Sequence, residues 1–136
     1  DEAQVKALYD YGDALGIAFQ IADDLLDYQG DAKATGKNVG DDFRERKLTL
    51  PVIKAVAKAT DEERDFWKRT IEKGRQVDGD LEHALELMAK YDTLAATRDD
   101  AYEWAAKAKK ALSVLPEHPI HQMLHDLADY VVARLT

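Results

Sequence analysis

The sequence predicts an all-α protein. Three observations carry that expectation. Apolar residues recur at helical spacing through several segments. Helix-start and helix-stop residues stand between those segments. No segment shows the alternation expected of a strand, and there is no internal repeat or low-complexity stretch.

The first helix is predicted from Gln4 to about Tyr28. Val5, Leu8 and Tyr9 begin its apolar stripe, and Gly30 and Asp31 end it. Gly12 and Gly16, one turn apart, are expected to admit a neighbouring helix or ligand, at a cost of roughly 1 kcal/mol each in helix propensity. From Gly16 to Tyr28 the helix is apolar almost all the way round, the mark of a helix meant for burial. Yet it carries Gln20, Asp23, Asp24 and Asp27. Buried carboxylates are costly unless paired or bound to metal. Asp23 and Asp27 are one turn apart and point the same way, with Asp24 about 100° round. The inference is a cavity-lining helix presenting an acidic cluster. Hard oxygen donors of this kind suit Mg²⁺, held by one or two carboxylates plus substrate phosphates.

Residues 31–47 read as a polar loop with Gly36 and Gly40. The loop is not a P-loop, because five residues separate Gly30 from Gly36 and a helix precedes it. It also lacks the Asp-x-Asp-x-Asp-Gly order of a calcium loop. A short helix follows from Thr49 to about Ala59, with Pro51 in its first turn. Thr60 and Glu63 form a capping box opening a helix to Lys73, with Gly74 just past its end. Asp78 or Asp80 is expected to cap the next helix, Leu81 to about Tyr91. Thr93 opens a long helix ending before Pro116. The last helix starts near Pro119, with a stripe of Ile120, Met123, Leu124, Leu127, Ala128, Val131, Val132 and Leu135. Trp67, Tyr102 and Trp104 read as packing aromatics. His121 and His125 have metal-ligand spacing, but Gln122 after His121 breaks the zinc-protease pattern, and they read as structural.

The 136 residues suit one domain. A net charge of −8 argues against non-specific nucleic-acid binding, which needs a basic face. The absence of cysteine excludes disulfides and cysteine-ligated metal centres. No apolar run reaches the ~20 residues of a membrane span, and no signal-peptide pattern opens the chain, so a cytoplasmic location is expected. The start at Asp1, inside an acidic helical stretch, suggests a piece of a longer protein.

Five elements occur in one order: Phe19-Gln20; Asp23-Asp24-Leu25-Leu26-Asp27; Gly36-Lys37-Asn38-Val39-Gly40-Asp41-Asp42; Lys47-Leu48-Thr49-Leu50-Pro51; and a compatible helical pattern to the end. Together they resemble the C-terminal half of a trans-isoprenyl diphosphate synthase (polyprenyl synthetase family). The tail, Val114-Leu-Pro-Glu-His-Pro and Leu127-Ala-Asp-Tyr-Val, is most similar to bacterial octaprenyl and decaprenyl synthases. The resemblance implies the isoprenoid synthase helical fold, with about six helices around a central cavity-lining one. It implies condensation of an allylic diphosphate with isopentenyl diphosphate, assisted by Mg²⁺, in a homodimer. Asp23 would be a direct metal ligand, Asp27 would act through metal-bound water, and Asp24 would contribute less directly. Lys37 and Lys47 would contact the diphosphate. Gln20 would face the developing cation, and Phe19 would offer it a ring face. Asp41 and Asp42 either extend the metal shell or cap the next turn.

The first aspartate-rich motif of the family is absent, so the N-terminal half is an implied partner and activity of this chain alone is not expected. The alternative is a non-catalytic helical subunit of a heteromeric synthase; a terpene cyclase fits the Phe-Gln pair and the Gly-Lys loop poorly. One local departure is Arg46. The family commonly carries glycine just before the lysine equivalent to Lys47, so a charged residue there leaves the placement of Lys47 open.

Overall fold

The structure is a computed structural model that describes residues 1–29 and 39–135. Among these residues it is all helical. The helices are α1 (Glu2–Gln29), α2 (Asp41–Arg44), α3 (Leu50–Ala57), α4 (Asp61–Trp67), α5 (Asp80–Lys90), α6 (Thr93–Ala111) and α7 (Pro119–Ala133). A π-helical turn, Lys68–Glu72, runs on from α4, and a 3₁₀ turn, Leu112–Val114, follows α6. No described helix is long and apolar enough to cross a membrane. The chain divides into two compact units. Unit 1 comprises Asp1–Asp23 and Arg98–Thr136, and unit 2 comprises Asp24–Thr97.

Unit 1 packs small residues under a few large ones. Tyr11, Ala14, Ala108, Leu112 and Ala128 form its buried cluster, flanked by Leu15, Trp104 and Leu124. Alanine on three helices lets their backbones approach closely. The Tyr11 hydroxyl, placed among apolar groups, donates to the Leu124 carbonyl at 2.6 Å, as a buried phenol must. Lys109 reaches Asp129 at 2.6 Å. The start of α7 combines Pro119 in the first turn with His118, whose Nδ1 accepts from the Ile120 N–H at 3.1 Å.

Unit 2 is built on Tyr28, Phe43, Val52, Ala55, Trp67, Ala84, Leu87 and Met88. Phe43 and Phe66 both meet Trp67 edge-on, at centroid distances of 6.5 and 5.1 Å. The Thr60–Glu63 capping box forms as expected. Arg69 closes a bidentate pair on Asp80 at 2.8 and 2.9 Å.

Three expectations are corrected. α1 is not covered on every side. Ala7, Tyr11, Ala14, Ala18, Ile21, Ala22, Leu25 and Tyr28 make one buried stripe, while Val5, Leu8, Tyr9 and Phe19 stay exposed. Hydrophobicity shows that a face is suited to burial; what covers it is set by the rest of the fold. The space beside Gly12 and Gly16 is open among the described residues: a Cβ there meets nothing within 4 Å. The α7 stripe is divided: Ala128, Val131, Val132 and Leu135 are buried, whereas Ile120, Met123 and Leu127 are exposed. The cap of α5 is Gly79, in a left-handed conformation, not an aspartate. Asp80 is the first residue inside that helix, and its carboxylate turns to Arg69 and to the Val77 N–H at 2.8 Å.

Glu63 supplies a pH test. Lys90 (2.8 Å), the Tyr91 hydroxyl and the Thr60 N–H all donate to its carboxylate. These bonds, Lys90 first, hold its pKa down at about 2, against an ordinary 4.5. A folded pKa below the unfolded one adds stability above the unfolded value, and that stability is lost as pH falls towards the folded value. The thermal midpoint is therefore expected to fall more steeply between pH 4.5 and 2 in the native chain than in Glu63→Gln. Parallel curves would show that the Glu63 cluster contributes nothing through ionisation.

Candidate functional site

α1 is one continuous helix, so Asp23, Asp24 and Asp27 keep the register that the sequence implies. Asp23 and Asp24 are half-buried, and Asp27 is 1% exposed. Phe19 and Gln20, one turn before, are exposed, Phe19 to 51%. The Arg134 guanidinium lies over the Phe19 ring, 5.2 Å from its centroid. This ring face therefore already accommodates a cation in unit 1.

The burial of Asp27 has a local cause in unit 2. Its Oδ2 accepts the Asp42 N–H at 3.1 Å, and its carbonyl accepts the Gly40 N–H at 2.9 Å. Asp27 thus holds the start of α2. Gly40 caps that helix with φ +86, where a Cβ would lie 2.5 Å from the Leu81 side chain, so both conformation and space call for glycine. Asp42 is itself buried. Beside them, burial is the main cause that pushes the Tyr28 hydroxyl far above its usual pKa, with the Asp27 and Asp42 charges next. It remains a neutral phenol.

Lys47 stands just past α2. Its N–H donates to the Asp42 carbonyl at 2.8 Å. Its ammonium is 3.0 Å from Glu45 and 3.7 Å from Asp42. The Glu45 hydrogen bond is the first cause of a raised pKa, so the side chain stays cationic. Asp27, Asp42 and Lys47 are therefore linked within unit 2. Of the two open readings for Asp42, its backbone takes part in the turn, and its carboxylate faces Lys47. Asp41 pairs instead with Arg44 at 2.9 Å. Lys37 lies outside the described residues, as do Gly36 and Asn38.

Arg46 has φ +64, a left-handed conformation that costs a residue with a Cβ roughly 1–2 kcal/mol. This is the position where the family's glycine was noted. The guanidinium offsets the strain: Nε donates to the Ile71 carbonyl at 3.0 Å, and Nη2 donates to the Glu72 carbonyl. Sequence reasoning saw the departure from glycine but not this clasp, because the π-helical turn that aims those carbonyls has no simple sequence signature.

One further carboxylate group lies elsewhere. His125, Asp126 and Asp129 on α7 present ligand atoms within 4.8 Å of one another. Asp129 is already held by Lys109. His121 is not part of the group; its Nε2 lies 3.0 Å from the Leu112 carbonyl.

Chemically, Asp24 and Asp27 in unit 2 and Asp23 at the end of unit 1 are hard oxygen donors by type, with lysines nearby in sequence. That donor set fits a hard divalent cation such as Mg²⁺.

Residues 1–88 match the polyprenyl synthetase family model. An octaprenyl diphosphate synthase of Escherichia coli K12 is 46% identical over 131 residues, covering 95% of this chain and 40% of that protein. Among solved structures, a decaprenyl diphosphate synthase from Rhodobacter capsulatus superposes with a TM-score of 0.92 at 68% identity. That match covers 100% of this chain and 42% of that one. A polyprenyl synthase from Caulobacter crescentus, solved with calcium and isoprenyl diphosphate, gives a TM-score of 0.89 at 46% identity, with coverage of 100% and 42%. The chain spans about 40% of the length of the curated relatives it matches. Its all-α arrangement matches the isoprenoid synthase helical fold of these neighbours.

Proposed function

Because the chain belongs to the polyprenyl synthetase family, we propose that it supplies the C-terminal part of a trans-polyprenyl diphosphate synthase of the long-chain type. In that assembly an allylic diphosphate is extended with isopentenyl diphosphate. The observation that carries this reading is the row of Asp23, Asp24 and Asp27 on α1, with Asp27 buried and tied to the turn that presents Lys47. The Caulobacter relative binds a divalent cation and an isoprenyl diphosphate, which supports the same ligand classes here.

Asp23, with Asp27 and Asp24 beside it in sequence, would hold the cation. Mg²⁺ would supply charge neutralisation for the departing diphosphate. Lys47 and Lys37 bind the same diphosphate as fixed cations. Gln20 turns its amide oxygen, and Phe19 its ring face, to the allylic group as positive charge develops there. The exposed faces of α1 and α7 are completed by the remaining part of the synthase, and the whole works as a homodimer.

The test is a chimera in which this chain replaces the matching 42% of the Rhodobacter capsulatus decaprenyl diphosphate synthase. It is expected to elongate an allylic diphosphate only with Mg²⁺ present. Asp23→Ala should lower turnover by about 10²–10³-fold, the usual loss when one electrostatic stabiliser is removed. A chimera that is active and indifferent to Asp23→Ala removes the metal assignment.

A further inference from the structure

We infer that Arg46 is a positioning residue: its guanidinium clasp on the π-helical turn fixes the turn that carries Lys47 to the diphosphate. The inference rests on the proposed role of Lys47.

Four observations within unit 2 lead to it. First, Arg46 is one of two described non-glycine residues with positive φ, so its backbone is held where an ordinary side chain resists going. Second, the groups that hold it are backbone carbonyls at the end of the Lys68–Glu72 turn, those of Ile71 and Glu72. Carbonyls at a helix end lack partners further along the helix, so they are available acceptors. Third, room for the guanidinium is made by Gly74. A Cβ at Gly74 would lie 2.8 Å from Arg46 Nε and 2.9 Å from its Cζ. Gly74 also has φ +68. Fourth, a second tie joins the same two segments. Gln76 Nε2 donates to the Phe43 carbonyl at 2.8 Å and to the Thr70 carbonyl at 3.0 Å.

The loop is therefore pinned to the π-helical turn on both sides of Arg44. The residue immediately after the pinned one is Lys47, whose N–H closes back on the Asp42 carbonyl. A long, exposed ammonium on an unpinned turn would lose much of its binding contribution to the freezing of that turn. Where glycine occupies the position, left-handed backbone comes without strain but also without an anchor. Arg46 reaches the same backbone and adds the anchor.

The experiment is a double-mutant cycle in the chimera described above, with steady-state kinetics and thermal melting on every variant. Arg46→Gly keeps the left-handed backbone free of strain and removes only the clasp. It is expected to raise KM for the allylic diphosphate by about 10- to 100-fold, with kcat changed by less than about threefold, the pattern of lost binding without lost chemistry. In the Lys47→Ala background the same substitution should change KM by less than about twofold, because the group being positioned is gone. Its effect on melting should be equal in both backgrounds. Arg46→Lys, which keeps charge and one donor, should fall between Arg46 and Arg46→Gly. Gly74→Ala approaches the clasp from the other side and serves if Arg46→Gly does not fold. It should raise the same KM with Lys47 present and change it by less than about twofold in the Lys47→Ala background.

An unchanged KM in Arg46→Gly overturns the inference. So does an equal KM increase in the Lys47→Ala background, which would make Arg46 merely structural. If Lys47→Ala itself leaves KM unchanged, Lys47 leaves the proposed site and this inference falls with it. The response to Asp23→Ala reports separately on the metal assignment.

Discussion

Asp27→Ala is expected to destabilise the protein by about 1–3 kcal/mol, the cost of a buried donor left without its partner. Asp27→Asn should cost appreciably less. Both should lower Mg²⁺-dependent turnover of the chimera by about 10–100-fold, the usual penalty for a group acting around a metal rather than on it. The Asp42 N–H lies in buried surroundings and donates to Asp27 Oδ2 at 3.1 Å. Alanine removes the acceptor, and the buried surroundings leave the donor without a replacement. Asparagine keeps a carbonyl oxygen at nearly the same place, so the start of α2 survives. Its neutral amide, however, no longer attracts a divalent cation. Urea unfolding and Mg²⁺ titration of the three proteins separate the two duties of this carboxylate. Equal stability losses in both variants would show that the hydrogen bond to Asp42 is not the source. Full turnover in Asp27→Asn would leave Asp27 a structural cap only.

That double duty shows how far the sequence could be read. The carboxylate row was legible because helical periodicity alone places residues 23 and 27 on one side of α1. The capping box at Thr60, the proline start of α7 and the stop at Gly74 were legible because each rests on local backbone chemistry. What was not legible depends on distant partners. Val5, Leu8 and Tyr9 read as the start of a buried stripe, yet all three are exposed among the described residues. Asp80 looked like a cap, but a bidentate guanidinium eleven residues away competes for its carboxylate and wins. The stretch 31–47 read as loop, yet Asp41–Arg44 makes one helical turn. A turn that short has no intrinsic stability. It exists because Asp27 receives its N–H, Gln76 takes hold of a carbonyl, and Phe43 is buried beneath it.

Of these three anchors Phe43 is the strongest, and Phe43→Ala is expected to have the largest effect on stability, about 3–5 kcal/mol. The ring is 1% exposed and meets Trp67 edge-on, in a cluster with Tyr28, Val52 and Met88. Removing it takes away apolar burial, leaves a cavity and ends an aromatic contact worth about 0.5–1.5 kcal/mol beyond its area. A typical domain has about 5–15 kcal/mol in all, so this one substitution removes a large share. Phe43→Leu keeps most of the volume and should cost appreciably less. The measurement is urea unfolding of the chain followed by tryptophan fluorescence with Trp104→Phe, so that Trp67 alone reports. The Phe43→Ala midpoint should fall well below that of Phe43→Leu, and Trp67 emission should shift to the red before unfolding as water reaches the vacated space. A loss under about 0.5 kcal/mol, the range of ordinary surface changes, would mean that the ring does not hold α2. The turn carrying Lys47 would then depend on its polar ties alone, and Asp27→Ala would have to show the larger loss of the two.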